Sequence, residues 1–244
     1  MPIPLLLKRI VNRLGHPLGI NSFPRAFENP ITETAASANH IFETIYRENY
    51  WASDESRSGV GSEFTFASAY RQRLVGLLRQ KGIRSVFDAP CGDLNWIAPL
   101  IKQTNIHYLG GDISTSVVQA AQSAHPDIQT QVFDITRDPF PHAELWHCRD
   151  CLFHLPFELI EQALANFARS SIPFALITTH HSRLLHQNLN VQPGGFRLLD
   201  LEKPPISLPK PLVRIRDYRP ARDFPRYMCL WSREHIQSTI NRLF

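Results

Sequence analysis

Apolar positions change their period near residue 83, and that change divides the chain. Before it they recur at helical spacing. Ile41, Ile45 and Tyr46 mark one helix, capped by Thr32 or Thr34 and running to about residue 50. Tyr70, Leu74, Leu77 and Leu78 mark a second over 66–81, closed by Gly82. From Ser85 onward short apolar runs alternate with helical patterns, which predicts a mostly parallel α/β sheet. Strands are expected over 85–88, 107–112, 129–133, 144–147 and 174–179, with helices over 96–102, 114–124 and 156–169. Two further β-rich stretches, 212–216 and 227–231, are expected to close the sheet as an antiparallel pair.

The punctuation between these elements is uneven. Pro2, Pro4, Pro17, Pro24 and Pro30 limit residues 1–31 to one short helix and an irregular arm. Residues 51–63 are rich in Ser and Gly and read as a loop. Residues 180–211 carry Gly194-Gly195 and Pro204-Pro205, and a loop this long in a compact domain points to function. Asn190, Arg197 and Asp200 are its candidate selectivity positions. The expected organisation is an N-terminal helical extension over 1–50 and a main domain over 51–244.

Composition narrows the class without naming it. Apolar residues make up 43% and charged residues 20%, as in ordinary soluble globular proteins. No apolar stretch is long enough to span a membrane, and the first residues do not read as a secretory signal. Four scattered cysteines suggest reduced thiols and a cytoplasmic location. The net charge of +4 is mild. Lys8, Arg9 and Arg13 read best as a solvated basic face. Arg214, Arg216, Arg219, Arg222 and Arg226 are interrupted by Asp217 and Asp223, with few interleaved aromatics, which gives little support for nucleic-acid binding.

The chemistry concentrates at strand ends. Strand 85–88 ends in Asp88 and runs into Ala89-Pro90-Cys91-Gly92-Asp93, a tight turn beyond the carboxyl end of a strand, where α/β sheets bind ligands. A dinucleotide fingerprint would place glycines where Pro90 and Asn95 stand, and Asp93 would repel a phosphate while tolerating a cation. Asp112 ends the next strand near the roughly 20-residue spacing of a ribose-binding acid. His147, Cys148, Cys151 and His154 tempt a zinc reading. Adjacent strand residues face opposite ways, however, and no second Cys/His pair has zinc spacing, so no metal is expected.

These motifs carry a resemblance. The Asp88–Asp93 turn resembles motif I of class I S-adenosylmethionine (SAM)-dependent methyltransferases, with Pro90 and Leu94 in place of the first and third glycines. The chain is similar to a bacterial subgroup with an Asp-x-Pro-Cys-Gly-Asp turn. That subgroup also shares an upstream Trp-x-x-x-Glu-Ser-x-Ser-Gly-x-Gly-Ser stretch, here 51–62, and a Cys-Arg-Asp-Cys-Leu-x-His-Leu stretch, here 148–155. The resemblance covers roughly residues 40–232 and implies a Rossmann-like, seven-stranded, mostly parallel sheet with a C-terminal antiparallel strand.

It also implies a site. Asp88, Pro90, Cys91 and Gly92 would hold the methionine portion of SAM, Asp112 the ribose, and Asp134 and Ile135 the adenine, with Ile113 a further cofactor contact. Arg149 would face the cofactor, and Trp51, Ser58 and Gly61 would form a lid or contact it. Asp150 and His154 are the candidate general bases, with His180 or His181 as alternatives; Cys91 or Cys151 is a conceivable methyl acceptor. The implied activity is methyl transfer to a small-molecule or sugar hydroxyl. Other readings are a nucleic-acid or protein methyltransferase, a silent SAM-binding regulator or partner subunit, and, more distantly, an NAD-dependent dehydrogenase. Oligomeric state and acceptor identity are left open.

Overall fold

A computed structural model of the chain describes residues 26–27, 37–181, 186–217 and 225–243. Lys8, Arg9, Arg13, Thr32, Thr34, Arg219 and Arg222 lie outside them. Nine strands are described: β1 (Ala26–Phe27), β2 (Ser85–Asp88), β3 (His107–Asp112), β4 (Thr130–Val132), β5 (Leu145–Cys148), β6 (Phe174–His180), β7 (Phe196–Arg197), β8 (Val213–Arg216) and β9 (Arg226–Ser232). Six helices accompany them: α1 (Ala38–Arg47), α2 (Ser68–Lys81), α3 (Ala98–Lys102), α4 (Thr115–Ala124), α5 (Phe157–Ala168) and α6 (Arg233–Leu243).

Seven strands form one sheet in the order β4-β3-β2-β5-β6-β9-β8. β9 runs antiparallel to both β6 and β8, and the other pairings are parallel. The expected mostly parallel sheet with an antiparallel C-terminal strand is therefore observed. The order reverses between β2 and β5, which opens a crevice at the carboxyl ends of the strands. β1 and β7 form a separate antiparallel pair.

Alternation along the strands divides the core. Val86, Leu145, Leu176 and Leu230 join one buried cluster with Tyr70, Leu74 and Leu77 of α2. Phe87, Trp146, Ala175 and Trp231 join the other, against α5 and α6. Trp146 is central, with Phe140 and Phe167 packed 5.1 and 5.2 Å away. Its indole N–H donates to the Ala89 carbonyl at 2.9 Å, so the core itself pins the turn after β2. Burial of each such aromatic or aliphatic side chain stabilises the fold by about 1.5–3 kcal/mol.

Several boundaries differ from expectation. α1 begins at Ala38, where Ser37 is extended and its hydroxyl accepts from the His40 N–H at 3.3 Å, so the cap is neither Thr32 nor Thr34. Gly82 does end α2, in the left-handed conformation. The sequence reading omitted α6, a polar helix that buries Ile236, Thr239 and Ile240. No helix among the described residues is long and apolar enough to cross a membrane.

Candidate functional site

A cleft of about 270 Å³ opens at the carboxyl ends of β2, β3 and β5, near the lower end of the roughly 300–1,000 Å³ typical of ligand sites. Asp88, Pro90, Cys91 and Gly92 line it, as do Asp112 and Ile113, Asp134 and Ile135, and Arg149, Asp150 and His154. Trp51 and Ser58 complete the set of expected residues on its wall. Gly61 does not line the cleft. Its carbonyl accepts from Arg149 Nη1 at 2.8 Å, and a Cβ there would meet Asp150 Oδ2 at 2.5 Å, so it supports its neighbours from behind.

The three sequence stretches interlock. Ser56 Oγ donates to the Asp93 carboxylate at 2.8 Å, and the Asp93 N–H donates to Ser58 Oγ at 3.0 Å. Asn95 Nδ2 donates to Glu55 Oε1 at 2.6 Å and to the Ser62 carbonyl at 3.0 Å. Gly92 has φ +61, and a Cβ on it would lie 2.7 Å from Ser58 Oγ, so only glycine lets the loop press this closely on the turn. Leu94, at the third-glycine position, adopts φ +62 and is fully buried. Asp93 corrects the expectation for the turn: its carboxylate is tied to Ser56 and does not line the cleft.

The acids differ in their surroundings. Asp112 Oδ2 accepts from the Gly92 N–H at 3.1 Å and Oδ1 from the Ser114 N–H at 3.0 Å. Burial raises its pKa to about 6; those amides counter the rise, while Asp88 and Asp93 add to it. Each oxygen keeps a second lone pair for a ligand hydroxyl. Asp134 is more heavily engaged. Its Oδ1 accepts from the Thr136 N–H and hydroxyl at 2.9 and 2.6 Å, and its Oδ2 pairs with Arg137 Nε at 2.7 Å.

Asp150 sits at φ +52 just past β5. Burial pushes its carboxyl up, but Arg226 Nη1 at 2.7 Å and Arg149 Nη1 at 3.8 Å overcome this and hold it well below the usual carboxylate range. Arg149 itself forks onto Asp217, with Nε–Oδ2 at 3.1 Å and Nη2–Oδ1 at 3.0 Å. His154 Nδ1 lies 2.6 Å from the Gly195 carbonyl oxygen, so Nδ1 carries the proton and Nε2 the lone pair. Burial lowers its pKa to about 4, and the imidazole is neutral near pH 7.

Of the alternative reactive groups, Cys151 lines the cleft and the others are disfavoured. His180 is buried, its Nδ1 accepts from the Leu199 N–H at 3.1 Å, and it does not line the cleft. His181 is exposed and also off the cleft. Burial pushes the Cys91 thiol well above its usual range, which disfavours it as a nucleophile. Asn190, Arg197 and Asp200 do not line the cleft either. Asn190 Oδ1 accepts from the Phe157 N–H at 2.9 Å, capping α5, while Arg197 and Asp200 are buried. The basic C-terminal stretch is partly neutralised: Arg214 pairs with Glu202, and Arg226 with Asp150.

No protein-family model and no curated protein sequence matches the chain. Solved structures do. Magnesium protoporphyrin IX methyltransferase from Synechocystis PCC 6803, crystallised with SAM bound, superposes with a TM-score of 0.58 at 14% identity, over 82% of this chain and 99% of its own. The 1,6-didemethyltoxoflavin-N1-methyltransferase of Burkholderia thailandensis, crystallised with 1,6-didemethyltoxoflavin and S-adenosylhomocysteine (SAH), gives 0.56 at 16% identity, over 82% and 92%. The fold is that of class I methyltransferases.

Sequence reasoning missed part of the wall. Phe42 and Tyr46 of α1 line the cleft, as does Val117 in the first turn of α4. α1 is held there by Glu43, whose Oε2 accepts from Ser114 Oγ at 2.6 Å and the Ser116 N–H at 3.3 Å, while Oε1 accepts from Ser116 Oγ. A carboxylate at a helix N-terminus is favoured by the free N–H groups and the helix dipole. Phe42 and Tyr46 look like ordinary core positions in the sequence; only the serines at the start of α4 hint at a docking partner.

Proposed function

We propose that this chain is a SAM-dependent methyltransferase acting on a small-molecule hydroxyl, and that it belongs to the Asp-x-Pro-Cys-Gly-Asp subgroup its sequence resembles. One observation carries the reading. Stretches 51–62, 88–93 and 148–155 and the acids ending β2 and β3 converge on one cleft at the switch point of the sheet. In this reading the turn from Asp88 to Gly92 takes the amino-acid tail, Asp112 the ribose hydroxyls, and Ile113, Asp134 and Ile135 the adenine. Residues 1–50 form the extension whose helix α1 closes one wall, and 51–244 the methyltransferase domain.

The cofactor supplies a methyl group already activated by its sulfonium, so the protein's work is alignment and proton removal. Trp51, Tyr46 and Trp96 line the cleft, and an aromatic lining suits a cation. Of the two base candidates, the geometry favours His154. It is neutral, and the Gly195 carbonyl fixes its tautomer. Asp150, clamped by Arg226, stays ionised and is a weak base, and its negative charge stands beside the cationic donor. A base whose pKa lies near 4 matches an acidic hydroxyl, a phenol or enol, better than an alkanol. The small-molecule methyltransferases that share the fold support a small-molecule acceptor; one of them is an N1-methyltransferase, so the hydroxyl rests on His154 alone.

Titration calorimetry with SAM and SAH, followed by turnover on a panel of phenols, enols and sugars, tests the reading. Binding of both ligands and methylation of acidic hydroxyls would support it. Binding of neither ligand, or of NAD in their place, would overturn it.

A further inference from the structure

A buried polar chain runs beneath the cleft. The Tyr108 hydroxyl donates to Asp88 Oδ2 at 2.7 Å, His147 Nδ1 lies 2.6 Å from Asp88 Oδ1, and the Tyr70 hydroxyl lies 2.7 Å from His147 Nε2. The four side chains come from β3, β2, β5 and α2. Tyr70 and His147 are fully buried, and Asp88 is 2% exposed yet lines the cleft.

Hydrogen-bond accounting assigns the protons. Among the described residues, His147 Nε2 is the hydrogen-bond partner of the Tyr70 hydroxyl, and a buried phenol O–H needs an acceptor. The O–H therefore donates to Nε2. The imidazole is then neutral with its proton on Nδ1, and that N–H donates to Asp88 Oδ1. Asp88 accepts one donor on each oxygen, as an ionised carboxylate does.

Asp88 is thus hydrogen-bonded but not charge-paired. Among the described residues no lysine or arginine makes an ion pair with it. A buried carboxylate without a countercharge is costly, and a ligand that brings a cation relieves that cost. Each oxygen retains a lone pair, on the one wall of the cleft where the turn to Gly92 begins.

We propose that His147 is a positioning residue. By donating to Oδ1 it fixes the Asp88 carboxylate to receive the ammonium group of the cofactor's amino-acid tail; Tyr108 holds the other oxygen and Tyr70 sets the tautomer. The assignment rests on the cofactor reading above. It makes the site selective for adenosyl ligands that carry an amino-acid tail over adenosyl thioethers that lack one.

The test compares SAH with 5′-methylthioadenosine, which keeps the adenosyl thioether and lacks the ammonium, by calorimetry on wild type, His147→Leu, His147→Asn and Tyr70→Phe. His147→Leu is expected to weaken SAH at least tenfold and methylthioadenosine less than twofold. Asparagine, whose amide can still donate to Asp88, recovers most of the loss. Tyr70→Phe, which frees Nε2 without touching the cleft, weakens SAH severalfold and selectively. It carries the test if the leucine variant does not fold. A purely structural role predicts equal losses for both ligands, with asparagine no better than leucine, and that result overturns the proposal. So does wild-type affinity for SAH in the folded His147→Leu and Tyr70→Phe variants. Wild type binding neither ligand overturns the cofactor reading and this assignment with it, whereas a ligand-independent loss in the variants overturns this assignment alone.

Discussion

Two irregular segments, residues 51–62 and 186–211, look alike in sequence and behave differently in the structure. Both carry two glycines and several polar residues, and both are largely irregular. The first turns its polar groups outward onto another motif. Ser56, Ser58 and Glu55 bond to the 92–95 turn, and Trp51 stands on the cleft wall, 5.3 Å from the His154 ring. The second divides its bonds: Asn190 and the Gly195 carbonyl reach out to Phe157 and His154, while Asn188 ties the segment to itself. Asn188 Nδ2 donates to the carbonyls of Asp200 and Pro204 at 2.9 and 2.8 Å, and Asn188 Oδ1 accepts from the Asp200 N–H at 2.8 Å. Length did not separate the two; contact with the 92–95 turn does, since the first segment bonds to Asp93 and Asn95 and the second to itself and to residues such as Phe157 and His154. Apart from β7, the long second segment is irregular, and Asn188 is the side chain that folds it back on itself.

The largest expected effect falls on the cleft side of this comparison. Asp112→Ala removes two charge-assisted acceptors, each contributing about 1.5 kcal/mol, and SAH affinity is expected to fall on the order of 100-fold in a calorimetric titration. On the other side, Asn188→Ala is expected to cost about 2 kcal/mol of stability, read as a drop of roughly 5 °C in Tm, with SAH affinity unchanged. If Asn188→Ala instead weakens SAH and leaves Tm alone, the two segments have been assigned the wrong way round.

A smaller effect is expected at the seam between the motifs. Gly61→Ala places a methyl against Asp150 Oδ2, a contact of 2.5 Å that must give way. Overpacking of this kind costs about 1–3 kcal/mol, and because it also displaces the loop carrying Trp51 and Ser58, SAH affinity should fall on the order of tenfold. Unchanged binding would mean that the loop is not part of the site.

The smallest effect is a pH dependence. Asp112 is raised to about 6 in the free protein, and a ribose binds best to its ionised form. SAH affinity is therefore expected to rise with pH up to about 6 and to level off above it, while Asp112→Asn binds weakly and without that slope. For folding the sign is opposite. A carboxyl whose pKa is raised in the folded state favours folding most below its unfolded value near 3.9, and that contribution is lost as pH rises through about 6. A binding profile that falls as pH rises between 5 and 7 would remove Asp112 from the ribose.

Much of the sheet was legible because most of its strands are short apolar runs set between helical patterns, and two of them, β2 and β3, end in an acid. β2 and β3 fall where the pattern put them, and the remaining sheet strands lie within a residue or two of expectation. α6 was not read, although Ile236 and Ile240 carry a helical interval, because the rest of the segment is polar. On the site, thirteen of the fourteen residues expected as cofactor contacts or first-choice bases line one cleft, all but Gly61, while the further candidates His180, His181, Asn190, Arg197 and Asp200 lie off it. Their convergence was legible through the strand-end rule and the resemblance together. What stayed hidden were relations between distant residues. Asp93 offers its charge to Ser56, and Asp88 meets His147 across two neighbouring strands, and no local pattern encodes either pair. Likewise α1 reads as an ordinary amphipathic helix, and only the fold places Phe42 and Tyr46 on the cleft wall.

Hydrogen–deuterium exchange with and without SAH tests the central claim most directly, since it reports all the converging stretches in one experiment. The account predicts new protection in residues 51–62, 88–95, 112–117, 133–137 and 148–155, with 186–211 unaffected. Protection confined to 186–211, or none anywhere at saturating SAH, would contradict it.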